Sequence, residues 1–249
     1  MLPKVDIKFI FCLFITILTC CGLNLPSYIK PCSLSDPNLK SCMIQSGQNA
    51  ISSLRKGDQN YKIPSVDPLK IPLIEINMGE DLSIKFSKIT AYNFFEVVKI
   101  QDVDFDLEKG IFSLHLYDES GILADLTYEM KMKLMGLPIT GNGEAKANVS
   151  KIDMFYEAAL KTIQKDDGDH FNIDKSKFNA TVGQLQFHFD NLFNGDQRLG
   201  DATNKLINEN WREFSSILQP AVIDLFQGLI NGYLKGIFAS VPKNSLFLP

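Results

Sequence analysis

The sequence predicts an α+β fold in which a highly curved antiparallel β-sheet is combined with a short N-terminal helix and a long C-terminal one. Three observations carry this. Residues Ile122 to Leu134 alternate apolar and polar without a break. Elsewhere the same two-residue period repeatedly skips one residue and resumes. From about Asp201 to Ser240 the spacing of apolar residues changes to that of a helix.

The first 22 residues read as a secretory signal peptide. Lys4 and Lys8 supply a basic leader, Phe9 to Thr19 form an apolar run, and Cys20 and Gly22 place small residues before a cleavage point. The run is too short for an ordinary membrane span. Residues 23–249 then form one domain, since no Pro/Gly/Ser-rich linker, low-complexity tract or repeat divides them. Of five cysteines only Cys32 and Cys42 remain after cleavage, and in an oxidising compartment they are expected to bond to each other.

Asp36 followed by Pro37 is a helix-start signal, and the helix is expected to run to Lys56, where Gly57 stops it. Its apolar positions Leu39, Met43, Ala50 and Leu54 share one face. From Ile63 to Leu192 the period is two. Ile122, Ala124, Leu126, Tyr128, Met130, Met132 and Leu134 share a face over a strand of roughly 44 Å, which is too long to remain flat. The other strands show where they bend. Phe86 steps to Ile89, Ile100 to Val103, Val149 to Ile152 and Val182 to Leu185. A step of three keeps apolar residues on the inner face while the strand kinks, as a β-bulge does, and bulges or bends are expected near Ser87, Gln101, Ser150 and Gly183.

The last region places Leu206, Trp211, Phe214, Leu218, Val222, Leu225, Leu229 and Tyr233 at helical spacing. This predicts one helix of roughly 60 Å, bent at Pro220. Gly228, Gly232 and Gly236 form a bare ridge for close approach of sheet backbone or ligand. Gln219, Asp224, Gln227, Asn231 and Lys235 make membrane insertion of this helix costly.

Charge and motifs exclude several functions. The whole chain carries 25 basic and 29 acidic residues, and loss of the leader leaves a net charge near −5. With no basic cluster, nucleic acid and anionic membrane are disfavoured as partners. Asp102, Asp104 and Asp106 resemble the spacing of a calcium loop, but Leu107 stands where such a loop needs glycine, so they read as a solvated strand face. Asp166, Asp167 and Asp169 around Gly168 read as a turn, and Gly141 and Gly143 as a second hairpin turn. His115, His170 and His188 have no metal-ligand spacing, and Gly-x-Ser-x-Gly is absent. No catalytic residue, metal or cofactor is expected. Asn148 and Asn179 open two glycosylation sequons on polar strand faces.

Three segments, in this order, resemble the takeout and juvenile hormone binding protein family of insects: "LPSYIKPCSLSDPNLKSCM" with its two cysteines, "IPSVDPLKIPLIEIN" at the entry to the sheet, and "NENWREFSSILQPAVIDLFQGLINGYLKGIFASVP" near the end. The resemblance implies a half-unit of the tubular lipid-binding superfamily, with the long helix wrapped by the curved sheet and enclosing an apolar tunnel. It implies binding of a terpenoid or other long-chain lipid.

The expected function is therefore a secreted, monomeric carrier of a small apolar ligand, without catalysis or stable membrane insertion. A lipid-surface binding protein and a lipid esterase are the other classes considered. One tunnel wall is assigned to Trp211, Phe214, Leu218, Val222, Leu225 and Leu229, and the facing wall to Leu126, Tyr128, Met130 and Met132. Tyr128 would offer a hydroxyl to a ligand's polar group, and the methionines would adapt to its shape. The competing reading is that all ten pack on one another as ordinary core.

Overall fold

The computed structural model describes residues 23–79, 81–94, 96 and 98–249. The expected leader lies outside them. A two-residue strand β1 (Cys32–Ser33) precedes helix α1 (Leu39–Leu54). Six strands of the main sheet follow as β2 (Leu69–Asn77), β3 (Ser83–Tyr92), β4 (Lys99–Asp106), β5 (Ile111–Asp118), β6 (Ile122–Leu134) and β7 (Leu137–Lys165). The seventh is β8 (Gly168–Phe189), after which come helices α2 (Gln197–Glu209) and α3 (Trp211–Phe238) and a last short strand, β9 (Phe247–Leu248).

Strands β7 and β8, of 29 and 22 residues, form the spine and pair antiparallel along most of their length. On its other edge β7 pairs first with β6, from Leu137 to Val149, and then with β5, from Ile152 to Ala159. Strands β2 and β3 extend the first group and β4 the second. The alternation expected over Ile122–Leu134 is observed: β6 has these bounds, and Leu126, Tyr128, Met130, Met132 and Leu134 are buried on one face.

All four expected skips fall on irregularities. The β3–β6 register shifts between Ser87 and Thr90, with Lys88 at φ 52°. The β4–β5 register shifts between Ile100 and Asp102. At the point where β7 changes partner, Lys151 has φ 55° and lies opposite Gly183, whose hydrogen leaves room that a Cβ would fill at 2.6 Å from the Lys151 Cβ. A fifth irregularity, between Ala159 and Leu160, leaves Asp174 of β8 unpaired. The polar run Asp174 to Lys177 hides that phase change, because it contains no apolar residue to mark the inner face.

Local expectations needed correction in four places. Helix α1 begins at Leu39, not at Asp36. The Asp36 carboxylate accepts from Asn38 N–H at 2.8 Å and makes a turn ahead of the helix. The late helix is two helices that start at Gln197, where Asp196 caps Leu199 N–H. They break at Asn210, which leaves the helical region (φ −109°, ψ 31°) and donates its side-chain amide to Leu206 O, while Pro220 lies within α3. Gly141 and Gly143 lie inside β7, opposite Met130 and Tyr128, and the hairpin turn is at Met135–Gly136. The two glycines clear a path instead: a Cβ at Gly141 would stand 2.6 Å from the Tyr128 hydroxyl, and one at Gly143 2.9 Å from Asp190 O. Of the glycine ridge, only Gly236 serves a close approach, against Tyr61 O and Ile63.

The sheet is open, so its outer strands carry unpaired peptide groups. Side-chain amides from the helices satisfy several of them on β8 and at the start of β4. On α2, Asn204 and Asn208 lie one turn apart and each makes a two-bond pair with the edge strand β8. Phe189 N–H donates to Asn204 Oδ1 and Asn204 Nδ2 to Phe189 O, both at 2.9 Å; the Asn208 pair with Phe187 is 2.8 Å each way. On α1, Gln48 treats β4 in the same way, donating to Val98 O and accepting from Ile100 N–H at 2.8 Å. Gln227 of α3 donates to Ser176 O at 3.2 Å. Contacts with residues 189, 187 and then 176 of β8, met by helix residues 204, 208 and 227, show the helices running antiparallel to that strand.

Asn204 is buried, so Asn204→Ala leaves two peptide groups of Phe189 without partners, and a loss of about 1–3 kcal/mol is expected in urea unfolding. Gln219→Ala, whose exposed amide reaches Ala180 O only at 3.5 Å, is expected to change stability by less than about 0.5 kcal/mol. Equal losses from the two would show that the buried pairing is not what secures α2. Cys32 and Cys42 are bonded. Closing a loop of ten residues, they are expected to contribute about 2–3 kcal/mol, measured as the stability difference between the oxidised protein and Cys32→Ala/Cys42→Ala.

Candidate functional site

The apolar face of α1 does not close onto the sheet. Between α1, the inner faces of β4 and β5 and the last two turns of α3 lies a cavity of about 240 Å³. Helix α1 contributes Met43, Ser46, Gly47, Ala50, Ile51 and Leu54, which recur at helical spacing. Ile100, Val103, Phe105, Phe112 and Leu114 come from the two strands, and Tyr233, Leu234, Ile237 and Phe238 from α3. Three of these, Met43, Ala50 and Leu54, belong to the α1 face read from the sequence.

The open side is strapped. Leu25, Ile29, Lys30 and Cys32 of the N-terminal arm and Leu246 and Phe247 of the tail line it. The two segments are joined by a parallel bridge, Cys32 to Phe247 and Ser33 to Leu248, and the disulfide fastens the arm to α1. Ser46 Oγ donates to Lys30 O at 2.7 Å, which holds the arm at a second point. Phe105 is the aromatic corner, with ring centroids of Phe112, Phe171, Phe238 and Phe247 at 5.4–5.8 Å.

The two hydroxyls of the wall, of Ser46 and Tyr233, are engaged. Tyr233, on a helix turn facing the loop before β2, donates to Pro64 O at 2.8 Å, and burial pushes its phenol well above the ordinary tyrosine range. The arrangement offers an apolar surface with space and no exposed nucleophile or acid–base pair, which suits retention of a molecule.

None of the ten residues expected to line a tunnel borders this cavity. Tyr128, Met130, Met132, Leu126, Phe214 and Leu218 are buried toward the α2 end of the sheet. The Tyr128 hydroxyl, expected to meet a ligand, donates to Asp190 O at 2.5 Å, and burial pushes its phenol up to about 12. Its ring packs edge-on against Phe189 at 4.8 Å, and Phe214 packs edge-on against Phe187 at 5.2 Å. Trp211, Val222, Leu225 and Leu229 are partly buried against the same core. The cavity residues missed by sequence reasoning carried a faint signal. Ser46, Gly47 and Ala50 are small side chains on an apolar helix face, and a Cβ on Gly47 would stand 2.7 Å from Ile100 Cδ1.

Other chemistry-bearing groups are dispersed. Each histidine pairs with one aspartate in a different place: His115 with Asp153 at 2.5 Å, His170 with Asp167 at 3.1 Å and His188 with Asp190 at 3.2 Å. Among the described residues no group of three or more His, Cys, Asp or Glu residues has the geometry to hold a metal ion. Asp102 pairs with Lys40 at 2.8 Å, and Asp106 accepts from the amides of Glu108 and Lys109. Asp166 and Asp167 form the β7–β8 turn. Asn148 and Asn179 are exposed. No helix among the described residues is long and apolar enough to cross a membrane.

The crystal structure of Epiphyas postvittana Takeout 1 superposes with a TM-score of 0.75 at 22% identity, covering 86% of this chain and 97% of that one. The circadian clock-controlled protein daywake of Drosophila yakuba and that of Drosophila melanogaster are each 22% identical over 231 residues, covering 89% of this chain and 88% of theirs. The profile of the haemolymph juvenile hormone binding protein family (JHBP) matches residues 10–248. The chain belongs to that family.

Proposed function

We propose that the protein is a secreted carrier that holds a small apolar ligand, a juvenile hormone-like terpenoid or another long-chain lipid, without making or breaking a bond. The observation that carries this reading is the cavity under α1: its wall is almost wholly apolar, its few hydroxyls are engaged elsewhere, and the arm and tail line its open side. Family membership supports the same reading. So do the leader for secretion and the exposed sequon residues Asn148 and Asn179 for glycosylation in the secretory route.

At about 240 Å³ the cavity is smaller than the 300–1,000 Å³ typical of ligand sites. A chain longer than the cavity has to part packing beyond it. The middle of α3 offers such a place: Val222, Leu225 and Leu229 are only partly buried there, and a Cβ on Gly228 or Gly232 would meet nothing within 4 Å. Val222, Leu225 and Leu229, expected from the sequence to face a ligand, enter at this second stage, with the α1 cavity holding one end of the molecule.

Ala50→Phe fills the α1 cavity without adding charge. The variant is expected to unfold within a few degrees of the parent while losing uptake of the uncharged fluorescent amine N-phenyl-1-naphthylamine. A fall in stability of about 1–3 kcal/mol, the usual consequence of overpacking, with uptake retained would move the site elsewhere. Val222→Trp tests the middle of α3 separately: it is expected to spare binding of this small molecule and to weaken binding of a ligand of sixteen or so carbons.

A further inference from the structure

Two large apolar side chains stand exposed on the outer face of the central strands, and each lies directly opposite a sequon asparagine. Phe155 of β7 is 48% exposed, and its partner across the β7–β8 pair is Asn179. Leu123 of β6 is 46% exposed, and its partner across the β6–β7 pair is Asn148. Both asparagines are themselves exposed. The two sequons therefore share one arrangement, although they sit in different strand groups.

The Phe155 site is the better built of the two. On the other side of β7, His115 of β5 is the cross-strand partner of Phe155, and the two rings are stacked with centroids 4.0 Å apart and planes within 16°. Asp153, two residues back along β7, holds the imidazole at Nε2 from 2.5 Å. Because β5 and β8 flank β7 on opposite sides, a Phe155 ring with one face against His115 turns its other face toward Asn179. The surrounding surface is polar: Ser113, Glu157 and Lys177 form the neighbouring row. These three, with His115, Phe155 and Asn179, border an open groove of about 640 Å³ on this face.

Directly opposed residues of neighbouring strands have Cβ atoms about 5 Å apart, so a sugar ring joined to the Asn179 amide starts within reach of the Phe155 ring. A pyranose carries polarised C–H groups on one face, and the face of an aromatic ring is its electron-rich side. Resting on the reading of the protein as secreted, we propose that Asn179 carries an N-linked glycan whose first N-acetylglucosamine packs on Phe155, completing a stack of His115, Phe155 and sugar across three strands. In the attachment step Asn179 Nδ2 bonds to C1 of the sugar as the C1–O bond to a polyprenyl diphosphate donor breaks. The diphosphate leaves with the electron pair, and the amide gives up one proton. The glycan then covers an aromatic ring that the sheet leaves in water, and the outer face becomes polar throughout.

The test uses the full chain with Asn148→Gln, expressed in insect cells restricted to high-mannose glycans and recovered from the medium, so that any N-glycan is at Asn179. Glycopeptide mass spectrometry is expected to find Asn179 occupied. Trimming with an endoglycosidase that leaves the first N-acetylglucosamine is expected to hold the unfolding temperature within about 1 °C, whereas complete removal by a peptide N-glycosidase lowers it by about 2–4 °C. In Phe155→Val, which keeps a strand-forming side chain, the two digests are expected to unfold together, and in Phe155→Tyr they are expected to differ as in the parent. A readout that needs no substitution at Phe155 is the proton spectrum of the trimmed protein, in which the ring current of Phe155 is expected to move C–H signals of the sugar upfield. Asn179 bare in the secreted protein, a loss on complete removal that is equal in Phe155→Val, or sugar signals at their free-solution positions each overturn the inference and leave the carrier reading standing. Protein held inside the cells removes the secreted reading, and the inference with it.

Discussion

The structure depends on a pairing between side-chain amides and strand edges. A sheet that curves without closing presents peptide groups along β8 and β4 that must bond to something, and in this chain the partner is a helix. Asn204 and Asn208 stand where two residues of a neighbouring strand would stand, since one helical turn of about 5.4 Å approximates the two-residue repeat of a strand at about 6.7 Å. Gln48 does the same for β4 from the opposite end of the fold. These contacts set which helix faces turn inward, so the placement of the apolar surfaces follows from them.

Curvature supplies the second constraint. The 29 residues of β7 would run to about 95 Å if straight, far beyond ordinary strands. The bend is concentrated where its partner changes from β6 to β5, and Lys151 with φ 55° opposite Gly183 shows how it is made. Because β7 bends there, the two strand groups on its edge can face different helices: β4 and β5 face α1 and the end of α3, while β8 beside the first group faces α2. The fold thus has two ends with separate packing problems.

The sheet was largely legible from residue period. Burial of one face fixes register so strongly that a bulge leaves a visible phase change, as at Ser87 and Gln101, provided apolar residues flank it; at Asp174 none do. Helix boundaries were less legible because they turn on side chains that choose between local partners. Asn210 breaks the late helix by donating to Leu206 O, a choice that its neighbours in sequence do not announce. The site was least legible. Tyr128, Met130 and Met132 have the composition of a ligand wall, and composition alone does not say whether the facing element leaves room. Gly141 and Gly143 let the 190–192 segment come close enough for the Asp190 carbonyl to accept from the Tyr128 hydroxyl, and they do so from a strand that reads like a turn.

The contrast between the two ends explains where space survives. At the α2 end Tyr128, Phe187, Phe189 and Phe214 meet one another edge-on or stacked, each filling what the next leaves, and the one phenol among them is bonded. Aromatic rings of that size close a gap between sheet and helix without help. At the α1 end Phe105 and Phe112 face Ser46, Gly47 and Ala50, side chains too small to reach them, while the Gln48 clasp on β4 prevents the helix from settling further inward. Gly47 is already in contact with Ile100, so the helix stands as near to the strand as its backbone allows and the space beside that contact persists. An apolar void of this kind costs stability in proportion to its size, by about 24 cal/mol per Å³ in core-truncation series. A ligand that fills it recovers contacts the protein lacks, which is why binding and folding stability are expected to rise together at this end and not at the other.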